Sequence, residues 1–110
     1  MKKLYRLQGH REFRALLSRG RRRDAPLFRI IFKQSDLVHS RYAFVASRAV
    51  DKRSAARHRL IRRAREWARK QPSRAASKFD IAIFFKKDAA RAPRKIFYEE
   101  LDKTFSEITR

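Results

Sequence analysis

The residue types best suited to chemistry lie between Lys52 and Lys70, where nine Lys or Arg and a single acid occupy 19 residues. Guanidinium groups are planar, permanently charged donors that bind phosphate oxygens two at a time. The same segment carries apolar residues at helical spacing, and such a face lets a helix pack against a sheet. We therefore expect a docked helix that presents a basic face to a polyanion.

Helical spacing divides this segment into two faces. The apolar face holds Ala56, Leu60, Ala64, Trp67 and Ala68, with Ile61 at its edge. The basic face holds His58, Arg59, Arg62, Arg63, Arg65, Arg69 and Lys70. Arg57 falls near the apolar face and avoids burial only if it lies close to the helix start. A merely solvated face is the alternative, but solvated helices usually mix charges at i and i+4, whereas this face mostly repels itself.

The whole chain is strongly basic. Its formal net charge is +20 over 110 residues, and residues 1–70 carry +17 of it. Charge of this size destabilises a compact protein by self-repulsion, which a polyanionic partner relieves. The 43% hydrophobic content, with nine Phe, argues against a disordered basic tail. We expect one folded domain spanning residues 1–110.

The sequence favours a cytoplasmic protein without a membrane partner. Lys2 and Lys3 resemble the start of a signal peptide, but Arg6, His10 and Arg11 interrupt any apolar segment after them. No window approaches the ~18 apolar residues that a membrane span needs. Because the chain has no cysteine, neither a disulfide framework nor a thiolate metal site is available.

Side chains suited to protein-based catalysis are sparse. Only His10, His39 and His58 could carry protons near neutral pH, and they fall in three different predicted elements. The acids are scattered, and their one cluster, at residues 99–102, belongs to a predicted C-terminal helix. Two-metal nuclease chemistry needs convergent carboxylates. We therefore predict no catalytic side chain and no metal bound by the protein alone.

The N-terminal half of the sequence indicates a helix followed by strands. Residues Gly9 to Gly20 predict a short helix, and Gly20 suits its end. Arg21 to Arg23 predict a basic loop. Leu27 to Lys33 and Arg41 to Arg48 are rich in β-branched and aromatic residues, so we predict an antiparallel strand pair, with a break allowed in the second strand.

The C-terminal half indicates the basic helix, a strand and a last helix. The basic helix is predicted to begin near Ser54, a candidate N-cap, and to stop before Pro72. Asp80 to Phe85 predict a buried strand, and Lys95 to Ile108 an amphipathic helix. The order α-β-β-(β)-α-β-α predicts an α+β fold, a two-layer α/β sandwich with a small mixed sheet. The strands on either side of the basic helix are expected to be parallel neighbours.

Two segments, FVASRAV at 44–50 and AARHRLIRR at 55–63, resemble the signature of the bacterial ribonuclease P protein subunit, whose central helix opens with Arg-Asn-Arg. Further features resemble the family pattern in order and spacing: Glu12-Phe13, Gly20, the apolar run Phe28 to Phe32 and the run that opens with Asp80-Ile81. Arg57 and Arg59 match the outer arginines of the motif. His58 stands where Asn is usual, and Ile61 where a Lys is common.

The resemblance implies an RNA-binding protein subunit that assists a catalytic RNA in endonucleolytic removal of the 5′ leader from precursor tRNA. The implied partners are the ribonuclease P RNA and precursor tRNA, not DNA, and Mg²⁺ is expected with the RNA subunit. The implied fold is like the second domain of ribosomal protein S5, with a left-handed βαβ crossover that breaks the usual right-handed preference.

The resemblance also implies two RNA-binding regions. The basic helix is expected to bind RNA through Arg53, Arg57, His58, Arg59, Arg62, Arg63, Arg65 and Arg69. A cleft between the first helix and the sheet is expected to bind the single-stranded leader through Phe13, Leu17, Phe28, Ile31 and Arg48. Leu17 and Ile31 occupy positions where members often carry aromatic residues, so Phe13 and Phe28 are the expected stacking residues.

Three other classes of protein stay open. A ribosomal or other structural RNA-binding protein would share the charge, size and fold class. A double-stranded DNA reader would also use a basic helix, but Trp67 and Leu60 are expected to hold this helix in the core, and no helix-turn-helix partner precedes it. An autonomous nuclease would cleave RNA without an RNA subunit.

Overall fold

A computed structural model describes residues 9–35, 40–71 and 78–108. The helices in these ranges are α1 (His10–Arg19), α2 (Ser54–Arg69), α3 (Lys87–Arg91) and α4 (Arg94–Ile108). The strands are β1 (Arg21–Asp24), β2 (Phe28–Gln34), β3 (Arg41–Val45) and β4 (Phe79–Phe85). These elements confirm the predicted mixed α+β fold with a small mixed sheet. None of the helices in the described ranges has the length and apolarity needed to span a bilayer.

The strands form one sheet in the order β1-β2-β4-β3. The predicted antiparallel pairing of Leu27 to Lys33 with Arg41 to Arg48 is wrong, because β4 lies between β2 and β3. Strand β4 is apolar on both faces, with Ile81, Ala82 and Ile83 all buried, so a central position hides it best. The parallel pairing of β3 with β4 around α2 is as expected. The left-handed sense of this crossover stays a prediction.

Strand β1 corrects the prediction of a loop at Arg21 to Arg23. Its four residues are all exposed, yet they pair antiparallel with β2 at the edge of the sheet. Charged side chains are typical of edge strands, where they discourage pairing with a second chain. The backbone hydrogen bonds to β2, rather than side-chain burial, therefore account for this strand.

The helix boundaries differ slightly from the predictions. The N-cap of α2 is Arg53, and Ser54 is already the first helical residue. Helix α3 was not predicted, because a helix of five residues carries little periodic signal. Helix α2 ends at Arg69, before Pro72 as predicted, and residues 72–77 lie outside the described residues.

The main core lies between one sheet face and the helices α2 and α4. Every residue of the predicted apolar face of α2 is buried, namely Ala56, Leu60, Ala64, Trp67 and Ala68. Trp67 also donates a hydrogen bond from Nε1 to Asp102 Oδ1 of α4 at 2.8 Å. The apolar stripe therefore holds α2 rigidly and turns its opposite side to solvent.

The second sheet face is covered by α1 alone among the described elements, through a small cluster of Leu16, Ile31 and Ala82. Gly20 ends α1 as predicted, but in an extended conformation with φ −72° rather than the left-handed one. A Cβ on Gly20 would lie 2.5 Å from Leu16 O and 2.7 Å from Ile31 Cγ2. Glycine is therefore needed here because the chain passes so close to the sheet.

Candidate nucleic-acid interface

The solvent face of α2 carries a row of free basic side chains. His58, Arg59, Arg62 and Arg65 are exposed and make no hydrogen bond or ion pair with any residue that the structure describes. A helix rises about 1.5 Å per residue, so three arginines at intervals of three residues follow one another about every 4.5 Å along its axis. The backbone under them is fixed by the core, which makes the row a rigid set of donors for phosphate oxygens.

Other arginines of the segment hold the start of α2 in place. The carboxylate of Asp51 accepts from the Arg53 side chain at 3.0 and 3.1 Å and from the Arg53 backbone N–H at 2.9 Å. These hydrogen bonds lower the pKa of Asp51 to about 2. Arg57 is half-buried and donates from Nη1 to the carbonyl oxygens of Asp51 and Lys52, both at 3.0 Å. Arg57 thus lies at the helix start, where its charge is accommodated by the preceding loop.

Two more of the predicted arginines, Arg63 and Arg69, also have partners within the protein. The guanidinium of Arg63 lies 6.0 Å from the centroid of the Phe97 ring, at the outer limit of a cation–π contact. Arg69 forms an exposed ion pair with Glu66. Exposed pairs of this kind are weak and exchange easily for a stronger anion. The free part of the predicted set among the described residues therefore consists of His58, Arg59, Arg62 and Arg65.

On the opposite sheet face, a polar network clamps α1 to β3 and β4. Arg41 of β3 donates from Nε and Nη2 to the two carboxylate oxygens of Asp80 at 2.9 and 2.8 Å. Its Nη1 donates to Glu12 Oε2 of α1 at 2.6 Å. The hydrogen bond to Asp80 raises the pKa of the Arg41 guanidinium. Asp80 is only 8% exposed, so the two hydrogen bonds from Arg41 replace those that water would make to an exposed carboxylate.

A row of four side chains crosses the uncovered end of this sheet face. Strand pairing places Asp24 of β1 beside Arg29 of β2, Arg29 beside Phe84 of β4, and Phe84 beside Val45 of β3. The neighbouring row, which includes Ile31 and Ala82, lies under α1. The ring of Phe84 is half-buried, and its centroid is 6.3 Å from that of Phe13 on α1. The row therefore leaves an aromatic side chain accessible beside α1.

A groove of about 470 Å³ lies between α1 and this row. Its lining residues are Leu17, Arg22, Arg29, Ile31, Phe84, Phe85 and Lys86. The floor is apolar and aromatic, and the cations stand around it. A base can stack on such a floor while the adjoining phosphates meet the cations. We call this site the α1 groove.

Three of the five predicted cleft residues lie at this sheet face. Leu17 and Ile31 line the α1 groove, and Phe13 packs against its aromatic residue. Arg48 is exposed in the turn after β3 and is not among the residues that line the α1 groove. Phe28 must be removed from the set, because it is 0% exposed in the main core on the other face. Phe28 and Ile31 are three residues apart in one strand, so their side chains point to opposite faces.

Sequence reasoning missed Phe84 and the cations of the groove. The run from Asp80 to Phe85 looks uniformly apolar, which hides that Phe84 shares a face with Ala82. Alternation along β2 was the available signal for Arg29, which separates two buried residues. Arg22 was assigned to a loop, so its orientation could not be predicted.

Neither histidine chemistry nor a metal cluster emerges in the described part of the chain. His10 and His58 are exposed on different helices, and His39 lies outside the described residues. No group of three or more His, Cys, Asp or Glu is arranged to hold a metal ion in the ranges that the structure describes. What both surfaces offer chemically is binding of phosphates and bases.

Comparison with known families decides among the RNA-binding classes. A family model described as Ribonuclease P matches residues 1–109. The chain belongs to the ribonuclease P family. Membership implies association with the ribonuclease P RNA and an accessory role in an endoribonuclease complex that processes tRNA. A search of curated proteins finds no match.

Solved ribonuclease P proteins share the fold. A Staphylococcus aureus ribonuclease P protein mutant with defective mRNA degradation activity has a TM-score of 0.88 at 16% identity, covering 96% of this chain and 89% of that one. The Thermotoga maritima ribonuclease P protein in complex with 1-(4-fluorophenyl)-2-thiourea has a TM-score of 0.80 at 24% identity, covering 90% and 95%. Another Staphylococcus aureus ribonuclease P protein structure has a TM-score of 0.85 at 15% identity, covering 94% of each chain.

Proposed function

We propose that this ribonuclease P protein binds the catalytic RNA through the basic face of α2 and the 5′ leader of precursor tRNA in the α1 groove. The observation that carries the proposal is the presence of two different basic surfaces on opposite sides of the sheet. One is a rigid row of guanidinium groups, and the other is a groove with an aromatic floor. A single RNA duplex would not need both.

The basic face of α2 suits folded RNA. Arg59, Arg62 and Arg65 project from a helix whose other side is anchored by buried Leu60 and Trp67. The backbone that carries them is therefore already ordered before RNA binds. Contacts of this kind go to phosphates and carry little sequence information. A ribozyme that must be recognised by shape fits such a surface.

The α1 groove suits an unpaired strand. A base reaches Phe84 and Phe13 only if it is not stacked within a helix, and every base has a face that stacks on an aromatic ring. The cations Arg22, Arg29 and Lys86 stand where backbone phosphates of that strand would pass. Binding should therefore depend on the presence of a leader and only weakly on its sequence.

The division of labour follows from what the protein contributes. In this proposal residues 1–110 act as a single ribonuclease P protein domain, the RNA subunit performs the endonucleolytic cleavage, and Mg²⁺ is held with the RNA. The protein strengthens binding of the substrate and of the metal ions by bringing positive charge to crowded phosphates. The complex would work in the cytoplasm, where precursor tRNA is its substrate.

Reconstitution tests the proposal directly. The purified chain is mixed with a bacterial ribonuclease P RNA and a leader-bearing precursor tRNA at limiting Mg²⁺, and 5′ cleavage is compared with that by either component alone. We expect correctly placed cleavage to be stimulated only in the mixture. Cleavage by the protein alone would instead identify an autonomous nuclease, and no stimulation of a cognate RNA would favour a structural RNA-binding role such as a ribosomal protein.

Truncation of Phe13 tests the α1 groove. Because a stacked base contributes roughly 1 to 3 kcal/mol, Phe13→Ala should weaken binding of leader-bearing substrate while leaving mature tRNA nearly unaffected. Phe79→Ala is the matched control, since Phe79 is also half-buried but lies on the other sheet face. Equal losses for both RNAs in the Phe13 variant would make Phe13 a packing residue only.

A further inference from the structure

An acidic side chain stands among the cations of the α1 groove. Asp24 of β1 lies at the end of the open row, beside Arg29. Its Oδ1 accepts from Arg29 Nε at 3.2 Å and is 3.3 Å from Lys86 Nζ. Arg29 and Lys86 are two of the three cations that line the groove. One carboxylate oxygen therefore bridges most of the positive charge that would attract a leader.

This arrangement resembles the way a phosphate would be bound. Arg29 of β2 and Lys86, which directly follows β4, converge on one anionic oxygen, while the third groove cation, Arg22, lies in the neighbouring row. Asp24 and the two cations that it contacts are accessible to solvent, with side-chain exposures of 62% for Asp24, 52% for Arg29 and 37% for Lys86. Exposed ion pairs are individually weak. A phosphodiester of an incoming leader, which also offers two charged oxygens, can take the place of the Asp24 carboxylate.

We propose that Asp24 sets the affinity of the α1 groove by occupying, in the RNA-free protein, the position of a leader phosphate. This inference rests on the proposed function, because it identifies the residue that restrains leader binding at the same site. Binding of the leader exchanges one anion for another at Arg29 and Lys86, so the net gain is smaller than two free cations would provide. The carboxylate also keeps both side chains beside Phe84 until the leader arrives.

The state of Asp24 near neutral pH is consistent with this role. The hydrogen bond from Arg29, followed by that from Lys86, lowers the pKa of Asp24 below its ordinary value of 3.8. The carboxylate is therefore ionised wherever the complex would work. The restraint acts continuously and needs no switch.

Asp24→Asn is the decisive variant, because an amide keeps the size of the side chain but removes its charge. Glu107→Gln is the matched control. Glu107 pairs with Arg23 at 3.1 Å, so this change also frees one arginine of β1 and raises the net charge equally. Arg23 pairs in register with Ile30 of the main core, on the sheet face away from the α1 groove.

The measurement is the dissociation constant of the reconstituted complex with ribonuclease P RNA for a precursor tRNA with a long leader and for mature tRNA, over a range of salt concentrations. We expect Asp24→Asn to bind the leader-bearing RNA about 2- to 5-fold more tightly, the range of a weak surface ion pair, with mature tRNA unchanged. The log-log salt slope for the leader-bearing RNA should steepen by up to about 0.7, the value for one phosphate contact to a single strand. Glu107→Gln should change neither RNA selectively.

Three results would overturn the inference. If Asp24→Asn leaves the ratio of the two affinities unchanged or lowers it, Asp24 only orients Arg29 and Lys86. If both variants tighten both RNAs equally, the effect is one of overall charge. If the unsubstituted protein binds leader-bearing and mature RNA equally well, leader binding by the α1 groove fails first, and the role of Asp24 fails with it.

Discussion

Individual arginines of α2 have separate tasks despite their similar appearance in the sequence. Arg53 and Arg57 bind the Asp51 loop and fix where the helix begins. Arg59 and Arg62 are exposed and have no partner among the described residues. Substitution should therefore affect folding at the first pair and RNA binding at the second.

Arg59→Ala or Arg62→Ala should weaken binding to the ribonuclease P RNA and lower the log-log salt slope by about 0.7 to 0.9 for each phosphate that the variant no longer binds. Filter binding over a range of salt concentrations measures this slope. Lys95→Ala on α4 removes an equal charge from a side chain that is 85% exposed, and it should leave the slope unchanged. An unaltered slope in the arginine variants would show that these two side chains do not bind phosphates.

Asp51 predicts a pH dependence of stability. Its folded pKa of about 2 lies below the ordinary value of 3.8, so the carboxylate stabilises the fold above the ordinary value, and this contribution is lost as pH falls through the folded pKa. Urea unfolding at a series of pH values should show Asp51→Asn less stable than the unsubstituted protein near neutrality. The difference should shrink as the pH falls from about 4 to about 2. A difference that persists at the lowest pH would assign the effect to the side-chain shape instead.

Helix α1 is the element on which the groove depends, and few contacts hold it. Its anchors are the Leu16 cluster, the ion pair from Glu12 to Arg41, and the close passage of Gly20 over the sheet. The other helices share the large core, whereas α1 covers a face that stays partly open. The width of the α1 groove is therefore set by how closely this one helix docks.

Gly20→Ala should disturb that docking. The new methyl group would meet Leu16 O and Ile31 Cγ2 at distances that require a shift, and overpacking of this kind typically costs about 1 to 3 kcal/mol. Hydrogen exchange should show the destabilisation most clearly in the amides of α1. Ser18→Ala, at an exposed position of the same helix, should cost less than about 0.5 kcal/mol. Wild-type protection of α1 in the Gly20 variant would show that the helix accommodates the methyl group while it stays docked.

In the assembled fold, the main core between the sheet and the helices α2 and α4 fixes the orientation of α2. Trp67 is central to it, with ring contacts to Tyr42 of β3 and Phe105 of α4. It is only 4% exposed, although it belongs to the helix that carries the exposed Arg59, Arg62 and Arg65. The stability of the fold and the orientation of these arginines therefore depend on the same side chain.

Trp67→Ala should lower the free energy of unfolding by about 3 to 5 kcal/mol, because it leaves a large cavity in this core. Chemical denaturation monitored by circular dichroism measures the change. Ile96→Ala provides the comparison, since Ile96 is 44% exposed and its truncation should have little effect. Normal stability of the Trp67 variant would contradict the burial of the indole ring.

Some features follow from local patterns and were predictable from the sequence. The apolar and basic faces of α2 follow from helical periodicity, which depends on the geometry of one segment alone. The apolar run in β4 and the amphipathic pattern of α4 likewise identify their elements without knowledge of their neighbours. The motif around Arg57 and Arg59 indicated the family that the comparison with known families confirms.

The arrangement of the sheet was decided only in three dimensions. The bidentate pairing of Arg41 with Asp80 joins residues 39 positions apart, and no local pattern connects them. The position of β4 between β2 and β3 also places Phe84 beside Arg29, so the groove has a different aromatic residue from the one expected. Phe28 was misassigned because a strand turns alternate residues to opposite faces, and which face lies under α1 depends on how the whole sheet packs. The sequence by itself therefore determined the longer helices and the apolar strands, the basic helix face and the family, whereas the edge strand β1, the strand order and the packing that decides which side chains meet in the α1 groove depend on the tertiary structure.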